Sequence, residues 1–148
     1  MLCYIIMLLI SIFLEGLFSN VFSNLHILFL IANILIGLLF IKDDKVYYII
    51  TIPLLIIYDI IYTSSFLYNT SVIIFMTIII KKFKIKNIFN LLVSYILFLI
   101  LYVFIISSTI YIDFITLFKS IIINSIFFII SYLIYLLYNK IINKNYNS

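Results

Sequence analysis

The sequence predicts an all-α, polytopic membrane protein with six transmembrane helices. Three observations carry that reading. Of the 148 residues, 68% are hydrophobic and only 9% charged, and mean hydropathy is +1.40. A soluble domain is about half apolar and about a quarter charged, and a small one leaves much of its surface exposed. Lipid is therefore the solvent in which so many apolar side chains are stable. The apolar residues also fall into six runs, most of them close to the roughly 20 residues that cross a bilayer. Finally, the runs do not alternate apolar with polar residues. That excludes a membrane barrel, although Ile, Phe and Tyr favour strands.

The runs follow in order. The first, Leu2 to Phe18, is bounded by the charge-free turn Ser19 to Asn24. It has no basic leader and no small-residue cleavage site, so it reads as a retained helix. The second, His26 to Ile41, stops at Lys42-Asp43-Asp44-Lys45. The third, Val46 to Tyr62, contains the single proline, Pro53, and an acid, Asp59. Thr63 to Asn69 is a second charge-free turn. The fourth, Thr70 to Ile80, ends in Lys81-Lys82-Phe83-Lys84-Ile85-Lys86, and the fifth spans Ile88 to Ile106. After Ser107 to Asp113, the sixth covers Phe114 to Tyr138. Residues 1–139 form one six-helix domain, and 140–148 form a polar tail. Short connections make neighbouring helices antiparallel.

Orientation follows from lysine, the sole basic side chain besides His26. Cytoplasmic loops carry the excess of positive charge. Lys42 and Lys45, the topology anchors Lys81, Lys82, Lys84 and Lys86, and Lys140 and Lys144 all follow even-numbered helices. Both termini are thus expected in the cytoplasm. The same lysines could also meet an anionic lipid or a cytoplasmic partner. They form no face large enough to neutralise a run of phosphates, so nucleic acid is not an expected partner.

The polar residues inside the runs are the candidates for function. Asp59 costs on the order of 2.5–3.5 kcal/mol if held at the centre of a spanning helix, and less toward its end. Two readings stand: it accepts hydrogen bonds from a hydroxyl on a neighbouring helix, or it faces a cavity or a partner helix. Glu15 poses the same choice. Glu15, Asp59 and Asp113 all fall toward the external ends of odd-numbered helices. Glu15-Gly16-Leu17-Phe18-Ser19 and Asp59-Ile60-Ile61-Tyr62-Thr63 share the pattern acid, two residues, aromatic, hydroxyl, the trace of a repeated helix pair. Acid and aromatic three apart share a helix face. Pro53, six residues before Asp59, removes a backbone hydrogen bond and can kink helix three.

Enzymatic chemistry needs convergent polar groups, and the chain has one histidine and one cysteine, Cys3. It lacks the spacing of a zinc-protease, serine-hydrolase or phosphate-loop motif. Its two glycines, Gly16 and Gly37, cannot build a phosphate cradle or a GxxxG seam. No enzyme activity, metal or cofactor is expected. The tyrosines near run ends, Tyr47, Tyr48 and Tyr138 among them, read as an interfacial belt.

Leu14-Glu15-Gly16-Leu17-Phe18-Ser19-Asn20, taken with Tyr58-Asp59-Ile60-Ile61-Tyr62-Thr63, resembles the MreD family of rod shape-determining membrane proteins. Gram-positive members commonly carry Tyr-Asp late in helix three, then Tyr-Thr, a turn with Leu and Gly, and Asn at the next helix start. Tyr58, Asp59, Tyr62, Thr63, Leu67 and Asn69 fill those places. Tyr68 stands near the usual turn glycine, and the glycine often found before the Asp is absent. The pair Lys81-Lys82 also fits. In specific residues the likeness covers two short stretches; in architecture it covers most of the chain.

The resemblance implies a non-catalytic scaffold of the complex that elongates cells by lateral peptidoglycan synthesis, embedded in the bacterial cell membrane. Implied partners are an MreC-like membrane protein, the peptidoglycan glycosyltransferase and transpeptidase, MreB-like filaments indirectly, and the lipid bilayer. Glu15, Pro53, Tyr58, Asp59, Tyr62 and Thr63 become the expected helix-packing or partner-facing residues. The family also resembles, in fold, the substrate-binding S components of energy-coupling-factor vitamin transporters. A vitamin-binding membrane subunit is therefore the alternative. Scarcity of small residues, with Ala32 the single alanine, argues against it.

Overall fold

The computed structural model describes residues 1–21, 25–62, 68–83, 85, 87–106 and 113–146. Its elements are six α-helices: α1 (Leu2–Val21), α2 (Phe29–Phe40), α3 (Asp44–Tyr62), α4 (Tyr68–Lys82), α5 (Ile88–Ile106) and α6 (Phe114–Tyr146). No strand occurs among the described residues.

Each apolar run becomes one helix, and the boundaries move for local reasons. α1 continues past Phe18 because the Ser19 hydroxyl donates back to the Gly16 carbonyl at 3.0 Å. α3 is capped by Asp43, whose Oδ1 accepts from the amides of Lys45 (2.9 Å) and Val46 (3.5 Å). That is the ordinary N-cap role of a short acid. α3 then runs through Pro53 without a break. Asn87 caps α5 by accepting from Phe89 N at 3.0 Å. α6 extends beyond Tyr138 to Tyr146, so residues 140–146, read as a tail, continue the helix. That stretch contains no Gly or Pro to stop it. The largest departure is α2, which begins at Phe29 rather than His26 and has only 12 residues.

α2 is the central element. Its residues from Phe29 through Gly37 are all buried, as expected of a helix that is apolar all round. It packs most extensively on α1 and α6 and also meets α3, α4 and α5. Near its end, a Cβ on Gly37 would collide with the ring of Tyr4, so glycine lets α1 lie against α2. Tyr4 is fixed in turn. The Thr51 hydroxyl donates to Tyr47 O at 2.7 Å, which leaves its oxygen to accept from Tyr4 Oη at 2.8 Å. Tyr47 is 1% exposed and donates to Ile34 O at 3.2 Å. It is therefore a core residue, not part of an interfacial belt.

These contacts fix the helix directions. The start of α1 lies by the end of α2 and the start of α3. The end of α1 lies by the start of α2 and the end of α3. α2 is thus antiparallel to α1 and to α3. One end of the bundle, termed the acid end, carries Glu15 and Asp59. The opposite, lysine end carries Lys42 and Lys81. There Lys81 Nζ is 2.6 Å from Asp44 Oδ1 and 4.4 Å from the Tyr48 ring centre. Lys82 is exposed, and Lys84 and Lys86 lie outside the described residues.

Polarity is distributed inside out. Ser11, Asn33, Thr51, Asp59, Thr77 and Asn124 are buried, while Phe13, Ile49, Phe75, Leu101 and Ile130 are exposed on the five outer helices. Two segments, α1 and Phe114–Ile141 of α6, are long and apolar enough to cross a membrane.

Candidate functional site: a polar junction at the start of α2

A helix that starts inside a bundle has a hydrogen-bonding problem. Its first four amides lack helical partners, and any extended backbone before it adds more. In an apolar interior each unpaired group is costly. Here the non-helical segment is His26–Leu28, and the residue before α2, Leu28, has no side chain able to cap it.

Side chains from other helices solve the problem. Asn124 of α6 serves both a donor and an acceptor of that segment: its Oδ1 accepts from Leu28 N at 2.8 Å, and its Nδ2 donates to His26 O at 2.8 Å. Ser120, one turn earlier, accepts from His26 N at 3.1 Å. Tyr95 of α5 donates to Leu28 O at 2.8 Å and lies 3.0 Å from Asn124 Oδ1. Glu15 completes the set from α1. Its Oε2 accepts from Leu30 N at 3.0 Å, the Phe29 amide also bonds it, and its Oε1 accepts from the Tyr58 hydroxyl. Glu15 is 4% exposed. An acid at a helix N-terminus is favoured by the partial positive charge there.

Asp59 makes a second joint of the same kind. Its Oδ2 accepts from Thr70 N at 2.8 Å and Thr70 Oγ1 at 2.6 Å, in the first turn of α4. It is fully buried, so the position toward the helix end that sequence indicated brings no exposure to bulk water. Glu15 and Asp59 thus play one role twice: an acid near the end of an odd helix holds the start of the next even helix. Of the shared pattern only the acids accept these hydrogen bonds; Thr63 lies outside the described residues. Asp113 does the same within its own helix, accepting from Ile115 N at 3.3 Å.

Of the other expected residues, Tyr58 belongs to the junction through Glu15. Pro53 is on the exposed face of α3, away from it. Tyr62 ends α3, and Thr63 lies outside the described residues. Sequence reasoning did not find Asn124, Ser120, Tyr95 or Thr70. The available signal was the spacing of Ser120, Asn124 and Ser131 along one face of an otherwise apolar helix, since polar groups inside a spanning helix face its neighbours.

Beside the junction is a cavity of about 200 Å³ lined by Glu15, Ser19, His26, Tyr58 and Tyr102, among others. Ligand pockets usually measure about 300–1,000 Å³, so this one suits a small solute at most. Among the described residues no three His, Cys, Asp or Glu side chains converge to hold a metal. What the arrangement accomplishes chemically is hydrogen-bond closure of a broken helix. No family model, curated protein or solved structure matches the chain.

Proposed function

We propose that the chain is a six-span, non-catalytic membrane scaffold of the MreD kind. In this reading it sits in a bacterial cell membrane with both termini cytoplasmic and helps the elongation machinery set cell shape. The observation that carries the reading is the commitment of Glu15 and Asp59 to helix starts. Acids used this way define the shape of the bundle, and of the stretch behind the family resemblance Tyr58 lies at the α2 junction and Asp59 at the joint with α4. Inward polar and outward apolar side chains support a lipid surrounding. The partners are an MreC-like protein, the glycosyltransferase–transpeptidase pair and, indirectly, MreB-like filaments.

Co-purification in mild detergent tests the proposal. An MreC-like protein from the same cells is expected to remain bound to the tagged chain, and depletion is expected to round or widen rod-shaped cells. Clean separation from an abundant MreC-like protein would remove the reading. The S-component alternative has the small cavity near Glu15 in its favour. It requires tight binding of a water-soluble vitamin, which a flat calorimetric titration would exclude.

A further inference from the structure

At the lysine end a groove of about 730 Å³ opens between the end of α2, the starts of α3 and α5, the end of α4, and α6. Its volume lies within the usual ligand range of about 300–1,000 Å³. Leu39, Ile80, Ile88 and Leu136 form an apolar floor. Lys42, Lys81 and Asp44 stand in the same lining. The groove exists because α4 packs mainly on α3 and leaves α5 and α6 uncovered on that side.

Such a lining is amphipathic in a particular sense. The floor matches hydrocarbon. The polar residues carry two positive charges and one negative, a net charge of one positive. Lys81 is also held in place, 2.6 Å from Asp44 and over the Tyr47 and Tyr48 rings at 5.1 and 4.4 Å. A fixed ammonium beside an apolar channel complements a molecule with an anionic head and an alkyl tail.

We propose that this groove binds one anionic phospholipid, its phosphate against Lys42 and Lys81 and an acyl chain along Leu39, Ile88 and Leu136. The occupant is a lipid because charge and hydrocarbon complementarity are both needed, and a bilayer supplies both at this depth. The inference rests on the membrane reading above. It adds a specific site to it: basic pockets between spanning helices at the cytoplasmic surface recognise anionic headgroups.

The chain contains no tryptophan, so single tryptophans can report on lipid. Leu136→Trp places one in the groove, and Ile129→Trp places one on the exposed outer face of α6. Each variant is reconstituted in phosphatidylcholine vesicles and titrated with bromine-labelled phosphatidylglycerol or bromine-labelled phosphatidylcholine. The outer tryptophan is expected to be quenched equally by both lipids. The groove tryptophan is expected to prefer phosphatidylglycerol by about fivefold, the weight of one lysine near a membrane surface. Lys42→Gln should erase that preference, and Lys81→Gln should do the same in a second background. Asp44→Asn should raise it.

Equal quenching in the groove, with the outer control quenched, overturns the site and leaves the membrane reading standing. Groove quenching absent while the control responds also overturns it and points to a protein segment as occupant. Relief of quenching by inorganic phosphate alone shows a phosphate site without lipid selectivity and overturns it too. If the outer tryptophan is silent to every bromine-labelled lipid, the membrane reading itself has failed.

Discussion

Asn124 satisfies two backbone groups that no other described residue satisfies at comparable distance, Leu28 N–H and His26 C=O. Replacing it with leucine, similar in shape, strands both in an apolar interior. Each stranded group costs about 1–3 kcal/mol, so Asn124→Leu is expected to lower stability by about 2–6 kcal/mol. Thermal unfolding in detergent, read by loss of the monodisperse species, measures it. Unchanged stability would mean that the segment before α2 has other partners. Ser131 makes the opposite case on the same helix. Its hydroxyl is buried with no hydrogen-bond partner among the described residues. Ser131→Ala removes an unsatisfied group and is expected to be neutral or stabilising by up to about 1 kcal/mol. A large loss would show that the hydroxyl is bonded in the bilayer.

The joints act between helices, and their chemistry predicts graded effects. Asp59→Asn keeps an oxygen that can accept from Thr70 N but loses the charge that strengthens the bond. Asp59→Leu loses both. Insertion should survive either change, while stability falls more for leucine, by about 1–3 kcal/mol beyond the amide; equal losses would assign the effect to something other than acceptance by the side chain. Close approach of α1 and α2 has its own test. Gly37→Ala gains about 1 kcal/mol of helix propensity but forces Tyr4 from a position held by Thr51 and stacked on Tyr47. Overpacking of this kind costs about 1–3 kcal/mol, so the net change is expected to be destabilising, and Tyr4→Phe should not rescue it because the ring remains. These elements also show how much sequence could reveal. The apolar runs reveal all six helices, since burial and lipid exposure both select apolar side chains. The placement of Glu15 and Asp59 toward the ends of their runs marks both joints. The break at the start of α2 was hidden because Leu25, Ile27 and Leu28 are as apolar as the helix that follows. Asn124 was hidden because its partners are backbone groups 96 and 98 residues away in sequence, and a lone Asn in an apolar run does not disclose which neighbour it faces. Tyr47 was misplaced because a tyrosine near a run end has the same sequence appearance whether its ring points to the interface or to the core.

On the scale of the whole molecule, the short α2 bears on the proposed six-span topology. Twelve helical residues rise roughly 18 Å at about 1.5 Å each, short of the roughly 30 Å hydrocarbon core. The non-helical segment His26–Leu28 lengthens this, by at most about 3.3–3.6 Å per residue. That non-helical backbone and the first turn of α2 depend on Asn124, Ser120, Tyr95 and Glu15 for their hydrogen bonds. α5, with 19 residues, spans a similar distance as a plain helix. If α2 and α5 both cross, the acid end and the lysine end lie on opposite sides of the bilayer. Single cysteines test this after Cys3→Ser removes the native thiol. Cysteines at Asp113 and at Lys82, both exposed, flank α5. A membrane-impermeant maleimide added to intact cells is expected to label position 113, and to reach position 82 only after permeabilisation. Labelling of both from outside would mean that α5 does not cross, and an α2 stabilised by side chains at that depth would then need a different explanation from hydrocarbon thickness. Labelling of position 82 alone would invert the bundle and place the lysines outside, against the charge rule that orients them.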